Sequence, residues 1–324
     1  MATRERLLTL LEGDQGAYLS GEELAGTLGV SRNAVWKAVK TLQREGYAID
    51  AVPNRGYRLS VENDILSPQG IQKYLDDGCR GLCVEVFPRV DSTNALVREK
   101  AAAGAPAGYA AVAAAQTAGR GRLGRRFYSP AGTGVYLSLL LRPENCAANR
   151  AVRITTMAAV AMCEAIESVS DEKAEIKWVN DIFIAGRKVC GILTEAAFDL
   201  ESGLLEYAVL GVGVNVCAPD GGFPEELRHI AGAVFRSPQR DIKNRLTGAF
   251  LNRFMAIYAH PEDTGYGAAY RRRSLAVGKR VTVVSPDRSR SALVLGVDEE
   301  CRLLVRYGDG SEEALSTGEI SIRL

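Results

Sequence analysis

The heptad Gly119-Arg120-Gly121-Arg122-Leu123-Gly124-Arg125, with Gln116 just before it and Phe127 just after, interleaves three arginines with three glycines. Glycine lets backbone N–H groups come close to a ligand and reach positive φ without steric cost. Arginine adds planar, permanently charged donors suited to carboxylate and phosphate oxygens. Together they describe a loop that wraps an anion. The glycines also spell G-x-G-x-x-G, but a dinucleotide fold needs a helix opening at the third glycine. Here Ser129-Pro130 and Gly132-Thr133-Gly134 follow almost at once and break a helix. A solvated Arg/Gly surface loop is the plain alternative, and the neighbouring segments argue against it.

The chain has 324 residues, with 40 basic and 39 acidic side chains. That length suggests two or three domains with ample core. Any contact with nucleic acid must come from local charge, because the bulk is neutral. Seven cysteines without a C-x-x-C pair predict reduced thiols and a cytoplasmic protein. The first residues lead into an amphipathic helix and not a signal peptide. No apolar run approaches the ~20 residues of a membrane helix, so no membrane partner is expected. Only His229 and His260 are present, which leaves no His-rich zinc site and little for a serine–histidine triad.

Outward from the heptad toward the N-terminus, residues 4–12 set Leu7, Leu8, Leu10 and Leu11 on a helical period. Ser20 caps a second helix with Glu23 as its capping-box partner, and Gly29-Val30 turns the chain. Ser31 caps a third helix, Arg32 to about Glu45, stopped by Gly46. At ~100° per residue, Val35, Ala38, Val39 and Leu42 share one face, and Arg32, Lys37, Lys40 and Arg44 the other. Two short alternating strands, 47–52 and 56–59, flank Pro53-Asn54-Arg55 as a wing, with Arg55 and Arg58 placed for phosphate. A charged helical face is usually just solvated. Helix-turn-helix and wing together instead predict a DNA-binding domain over residues 1–62, with Ser31, Arg32, Asn33, Lys37, Lys40, Arg44 and Arg55 at the nucleic acid.

A polar linker from Glu62 to Gly70 leads to a helix over 68–76 and a second domain over 67–273. Strand 83–87 precedes Asp91-Ser92-Thr93-Asn94 and a helix from Ala95 to about Ala103. Those four polar residues suit an N-cap, and equally a site for a polar head group. Strand 110–115 delivers Gln116 to the arginine–glycine loop, and 135–141 is a core strand. Asn149 to Val169 is a long helix with Val152, Thr155, Ala159, Cys163 and Ile166 inward. Glu175 to Leu193 forms a hairpin about Gly186, carrying Lys177, Asn180, Asp181 and Lys188. Residues 205–217 make another buried strand with Gly211, Gly213 and Asn215. Residues 223–273 are expected to be helical, with Arg271-Arg272-Arg273 a solvated helix end. Short strands over 280–285, 291–298, 302–307 and 312–316 suggest a small β-barrel domain over 274–324.

Ser92, Thr93, Asn94, Gln116, the heptad, Lys177, Asn180, Asp181, Lys188, Gly191 and Asn215 offer polar donors for a head group, several cations for phosphates and one carboxylate for a metal. No strong nucleophile is among them. Such a set suits nucleotide-driven activation of a carboxylate, in which positioning and charge carry the catalysis.

Asp91-Ser92-Thr93-Asn94, Gly119 to Arg125, Lys177-Trp178-Val179-Asn180-Asp181, Lys188-Val189-Cys190-Gly191-Ile192-Leu193 and Gly211-Val212-Gly213-Val214-Asn215 resemble, in order, the motifs of the biotin–protein ligases, in particular the bifunctional kind that also represses biotin biosynthesis genes. The resemblance spans nearly the whole chain. It implies an α/β (α+β) protein: a winged helix-turn-helix, a central mixed sheet flanked by helices like that of class II aminoacyl-tRNA synthetases, and a C-terminal small β-barrel. It implies synthesis of biotinyl-5′-AMP from biotin and ATP with Mg²⁺, and transfer to a lysine of a biotin carboxyl carrier protein. It also implies binding of operator DNA as an adenylate-bound homodimer. A winged-helix ligand sensor without ligase activity and a lipoate-type ligase are the rival readings. The first fits poorly with retention of Lys188 and the arginines, the second with the winged helix and this loop.

Carried over by motif, the resemblance implies that Ser92, Thr93, Asn94 and Gln116 hold the biotin head group, with Arg120, Gly121, Arg122, Lys188 and Gly191 along the rest of the ligand. Arg125, Phe127, Lys177, Asn180 and Asn215 serve the nucleotide. Lys188, Arg122 and Asp181 carry the chemistry, Asp181 also as a Mg²⁺ ligand or beside the incoming lysine. The family pattern has tryptophan where this chain has Phe127 and proline where it has Val179. A phenyl ring covers less of an adenine than an indole does.

Overall fold

The computed structural model describes residues 2–61, 63–143, 151–198, 204–260, 265–285, 289–316 and 321–323. The expected start of the linker at Glu62 and of the long helix at Asn149 lie outside the described residues.

Helices α1 (Thr3–Gly13), α2 (Gly21–Leu28) and α3 (Arg32–Arg44) precede the hairpin β1 (Ile49–Val52) and β2 (Gly56–Leu59). Ser20 Oγ accepts from Glu23 N at 3.0 Å and Ser31 Oγ from Ala34 N at 3.2 Å, so both predicted caps form. Gly29 ends α2 in the left-handed conformation, at φ +67°. Leu7, Leu8, Leu11, Leu24, Leu28, Val35, Val39, Leu42, Ile49 and Leu59 make a core of their own. Fully burying side chains of this size contributes about 1.5–3 kcal/mol each, which is why the face of α3 read from the sequence is the face that packs.

Next come α4 (Pro68–Gln72), capped by Ser67, then β3 (Cys83–Phe87), α5 (Thr93–Ala102) and β4 (Tyr109–Ala113). The helix expected over 68–76 is shorter, and a separate 3₁₀ turn occupies Asp77–Cys79. β5 (Gly134–Leu141), α6 (described from Ala151 to Val169), β6 (Glu175–Lys177), β7 (Asp181–Ile184), β8 (Arg187–Phe198) and β9 (Leu205–Asn215) follow. Among the described residues these strands form a seven-stranded mixed sheet in the order β3-β4-β5-β9-β8-β7-β6. Only β3 and β4 pair in parallel, which α5 makes possible as the crossover. Helix α6 is buried on nearly every side, not along one stripe, because the sheet covers one face while α7 (Ile242–Tyr258) and α8 (Gly265–Arg273) cover others.

Residues 223–241 are not helical as expected. Prolines and glycines (Pro219, Gly221, Gly222, Pro224, Pro238) interrupt the segment. It runs instead as turns that make single bridges from Ala231 to Lys188 and from Phe235 to Cys217. The arginines at the end of α8 are not all solvated: Arg273 forms a two-pronged pair with Glu167.

Strands β10 (Arg280–Val284), β11 (Ser289–Val297), β12 (Leu303–Tyr307), β13 (Glu312–Leu315) and β14 (Ser321–Arg323) form an antiparallel sheet of order β13-β12-β11-β10-β14. Among the described residues no ladder joins β13 to β14, so the small barrel expected here is observed as an antiparallel sheet. This sheet shares its apolar cluster with the central one, and Trp178 Nε1 donates to Cys301 O at 2.9 Å across the boundary. Cys79, Cys83, Cys163, Cys190, Cys217 and Cys301 are free thiols. Among the described residues no helix is long and apolar enough to cross a membrane.

The winged helix meets the central domain through a buried ionic cluster. Lys73 Nζ stands 3.7 Å from Glu12 Oε2 on α1 and 3.1 Å from Asp241 Oδ2 just before α7. Tyr74 donates to the same Asp241 oxygen at 2.6 Å. Both carboxylate side chains are almost fully buried, and two acids share one lysine.

Candidate active site

Two turns and the centre of the sheet converge on one cleft, open to solvent, with about 970 Å³ of atom-free space. It is lined by Ser92, Thr93, Asn94, Gln116, Arg120, Gly121, Arg122, Arg125, Phe127, Lys177, Asn180, Asp181, Lys188 and Gly191. Leu123, Arg126, Trp178, Ile192, Leu193, Gly211, Val212 and Gly213 complete the wall. Of the cleft residues expected from sequence, Asn215 is not brought there. Its Nδ2 donates to Gly232 O at 2.9 Å, which ties β9 to the turn segment beyond it.

On the cleft wall, Ser92 is the N-cap of α5, its Oγ accepting from Ala95 N at 3.4 Å. The cap and head-group readings of Asp91–Asn94 therefore coincide at Ser92, because a capping oxygen keeps its own proton to donate. Gln116 Oε1 accepts from Thr93 N at 2.9 Å, and Gln116 Nε2 donates to Ser129 Oγ at 3.1 Å. Asn94 lines the wall, but its amide is committed elsewhere: Nδ2 donates to Glu195 Oε2 at 2.7 Å and to Leu193 O at 3.3 Å. Its Oδ1 accepts from Ser138, a residue that sequence reading passed over as part of a core strand.

The glycines of β8 and β9 form the floor. A Cβ on Gly211 would lie 2.1 Å from Asn94 Oδ1, and one on Gly213 2.5 Å from Phe127 Cε1. Phe127 lies over Gly213 and Gly191 and meets Tyr136 edge-on, ring centres 6.3 Å apart.

The arginine–glycine loop closes on itself. Phe127 N donates to Gly119 O at 2.9 Å and Gly121 N to Arg125 O at 2.7 Å, with a 3₁₀ turn at Arg122–Gly124 between them. Leu123 and Gly124 take positive φ there, +56° and +72°. Arg120, Arg125 and Arg126 are exposed, whereas Arg122 is drawn inward and donates to Asn180 Oδ1 at 3.2 Å. Burial lowers the pKa of the Arg122 guanidinium, and Asp181 acts in the opposite sense.

The β7–β8 hairpin turns through Ala185 and Gly186, both at positive φ, and a register shift between Ile182 and Phe183 sets Lys188 opposite Phe183. Lys188 Nζ lies 2.6 Å from Asp181 Oδ1. Among the described residues that buried oxygen has no other hydrogen-bond partner, so the ammonium is the group in contact with its charge. The Trp178–Val179 peptide just before this hairpin is cis. Among the described residues no cluster of three or more His, Cys, Asp or Glu could hold a metal ion by itself.

On the winged helix, Arg32, Asn33, Lys37, Lys40, Arg44 and Arg55 are exposed, while Ser31 serves as a cap. Arg58 departs from expectation: it pairs with Asp50 across the hairpin, at 3.0 Å through Nε, and stacks with Arg55 on the Tyr18 ring. Its charge is spent on the wing's own structure.

Fold and site together define a class, a carboxylate-activating ligase joined to a winged helix. Comparison with known proteins agrees with it part by part. The biotin/lipoate A/B protein ligase family matches residues 86–215, an HTH domain residues 3–58 and the biotin protein ligase C-terminal domain residues 276–323. The bifunctional ligase/repressor BirA of Bacillus subtilis is 32% identical over 97% of this chain and 97% of its own. The BirA of Escherichia coli is 29% identical over 98% and 96%. The biotin protein ligase of Aquifex aeolicus, solved with biotin and ATP, superposes with a TM-score of 0.63 at 23% identity. It covers 74% of this chain and 98% of its own, and it bears on the fold alone. The chain belongs to the biotin protein ligase family, in its bifunctional ligase/repressor form.

Proposed function

We propose that this chain joins biotin to ATP as biotinyl-5′-AMP, releasing pyrophosphate, and passes the biotinyl group to a lysine of a biotin carboxyl carrier protein. The observation that carries the reading is the layout of the cleft. Its lining joins neutral donors and acceptors (Ser92, Thr93, Gln116) to five cations (Arg120, Arg122, Arg125, Lys177, Lys188) and includes no cysteine or histidine.

A carboxylate oxygen of biotin attacks the α-phosphorus, and the bond to the β-phosphate oxygen breaks. Arg122 and Lys188 meet the charge that gathers between carboxylate and phosphate. Lys188 must leave Asp181 to do so, which frees that carboxylate. Arg125 and Lys177 face the departing pyrophosphate, and Asn180 and Phe127 the nucleotide. In the second step the carrier amine attacks the acyl carbon and AMP leaves with the bonding pair. Asp181, the acidic residue of the cleft lining, takes the amine proton.

A single carboxylate fits a Mg²⁺ held mainly by nucleotide phosphates and water, with Asp181 as its one protein ligand. When bound, the ion supplies further charge neutralisation on the phosphates. We assign operator DNA to the exposed cations of α3 and the wing, and a homodimer to the adenylate-bound chain. The reading places the protein in the cytoplasm, with divisions near residues 62–67 and 273–274.

Incubation of the chain with ATP, biotin and a carrier domain, followed by the mass of the carrier, tests this function. A carrier that gains no biotinyl group overturns it.

A further inference from the structure

We propose that Ser138 is a positioning residue of the head-group site, the hub of a buried relay that begins at Glu195 and turns the Thr93 hydroxyl into an acceptor toward the ligand. The proposal rests on the biotin reading of the same cleft. Neither Ser138 nor Glu195 lines the cleft, so each can act only through others.

Ser138 is fully buried in β5, between leucines. Its Oγ lies 2.6 Å from Asn94 Oδ1 and 2.8 Å from Thr93 Oγ1. A serine has one proton to give, so only one of these contacts can use it. The far end of the network decides which. Glu195 is held by Arg98 at 3.1 Å. Asn94 Nδ2 faces two groups that only accept, the Glu195 carboxylate and the Leu193 carbonyl. The amide cannot be flipped without facing oxygen to oxygen, so Oδ1 must point at Ser138. An amide oxygen carries no proton, and Ser138 therefore donates to it.

Ser138 Oγ then presents lone pairs to Thr93. The Thr93 proton has two destinations, Ser138 Oγ at 2.8 Å and Gln116 Oε1 at 3.2 Å. The shorter contact takes it. Two consequences follow at the cleft wall. Thr93 Oγ1 turns its lone pairs outward. Gln116 Oε1 has only the Thr93 backbone N–H to satisfy, at 2.9 Å, and keeps a lone pair free. Two neighbouring acceptors suit a ligand that offers N–H groups, as the cyclic urea of biotin does. If Ser138 is removed, the Thr93 proton falls to Gln116 Oε1, whose free lone pair is then lost to the ligand.

Mere satisfaction of buried polar groups makes a different prediction, so the two can be separated. Pyrophosphate release by the full chain, with biotin and ATP varied in turn, is measured for wild type, Ser138→Ala, Asn94→Ala and the double variant, each with its Tm. The relay requires that Ser138→Ala raise the KM for biotin about tenfold, the size of one lost buried hydrogen bond, with the KM for ATP and kcat within about a factor of two. Asn94→Ala, which frees the Ser138 proton for Thr93, should do the same. The double variant should be no worse than the weaker single, since both cut one chain. Ser138→Thr, which keeps the hydroxyl, should recover most of the biotin affinity. Lower Tm values with an unmoved KM for biotin, or equal rises in both KM values, overturn the relay while leaving the ligase reading intact. A wild-type chain that releases no pyrophosphate with biotin present overturns the reading and the relay with it.

Discussion

Lys188 Nζ and Asp181 Oδ1 stand 2.6 Å apart, so the lysine proposed to meet the reacting carboxylate is already paired inside the cleft. Substrate has to compete for it. Lys188→Met should fold, since the side chain is only partly buried, and should slow biotinyl-5′-AMP formation by about 10²- to 10⁴-fold, the range for loss of one preorganised charge-stabilising group. Adding Asp181→Asn should recover stability lost to the unpaired carboxylate without restoring the rate. Single-turnover adenylate synthesis beside urea unfolding of the three proteins checks both halves. A Lys188→Met rate within a few-fold of wild type would make this lysine only the counter-ion of Asp181.

The loop from Gly119 to Phe127 exposes Arg120, Arg125 and Arg126 around a 3₁₀ turn. Their like charges repel until an anion joins them. Trypsin should therefore cut here at least several-fold faster in the ligand-free chain than with biotin and ATP at saturation. Mass spectrometry of the fragments against time reads this directly, and equal cutting rates would remove the loop from the ligand site.

Lys40 and Arg44 are exposed on the face of α3 opposite Val35, Val39 and Leu42. If they meet phosphates, Lys40→Ala or Arg44→Ala should weaken duplex binding and lower its salt slope by about one per lost contact in each half-site. Carrier biotinylation by the same variants should stay at the wild-type rate. Adenylate should tighten the DNA complex if the dimer is the form that spans two half-sites. Titration of duplex affinity against salt, with and without adenylate, decides both points; a slope that does not change rules these side chains out as phosphate contacts.

Glu12 is buried at the contact between winged helix and central domain, and burial, with Asp241 adding to it and Lys73 opposing, pushes its pKa up from 4.5 to about 7. A carboxyl group whose pKa rises on folding binds more protons folded than unfolded. Its contribution is therefore most favourable below about pH 4.5 and is lost as the pH rises through 7. Glu12→Gln should be more stable than wild type at pH 8, by on the order of 3 kcal/mol, and nearly level with it at pH 5. Unfolding free energies at the two pH values test this. A difference that does not vary with pH would show that Glu12 is charged throughout.

What could be read from the chain, and what could not, divides along the range of the interaction. The α3 face, both serine caps and the Gly186 turn depend on neighbours a few residues away, and their residue types announce them. The cleft residues were legible because arginine beside glycine, and lysine ahead of a core strand, are costly placements that need a reason. Ser138 was invisible because its meaning lies in Asn94 and Thr93, more than forty positions away in sequence. Arg58 looked like a phosphate contact until Asp50 and Tyr18 were seen to hold it. Residues 223–241 carry Glu225-Glu226-Leu227, which favours a helix locally, but bridges to Lys188 and Cys217 and the flanking prolines prevail. Asn215 fell one step outside the cleft, since a strand end gives no hint of which neighbour will claim an amide.

Gly211 and Gly213 leave bare backbone on one face of β9, and the vacated room is already filled by Asn94 from one segment and Phe127 from another. Adding even a methyl group at either position displaces a different end of the cleft. Attempts to recut this enzyme for another acid should therefore leave β9 alone, because losses there would report jammed neighbours and not altered selectivity. Leu193, which faces Gly211 across the ladder and is only partly buried, is the place where size can be changed one carbon at a time.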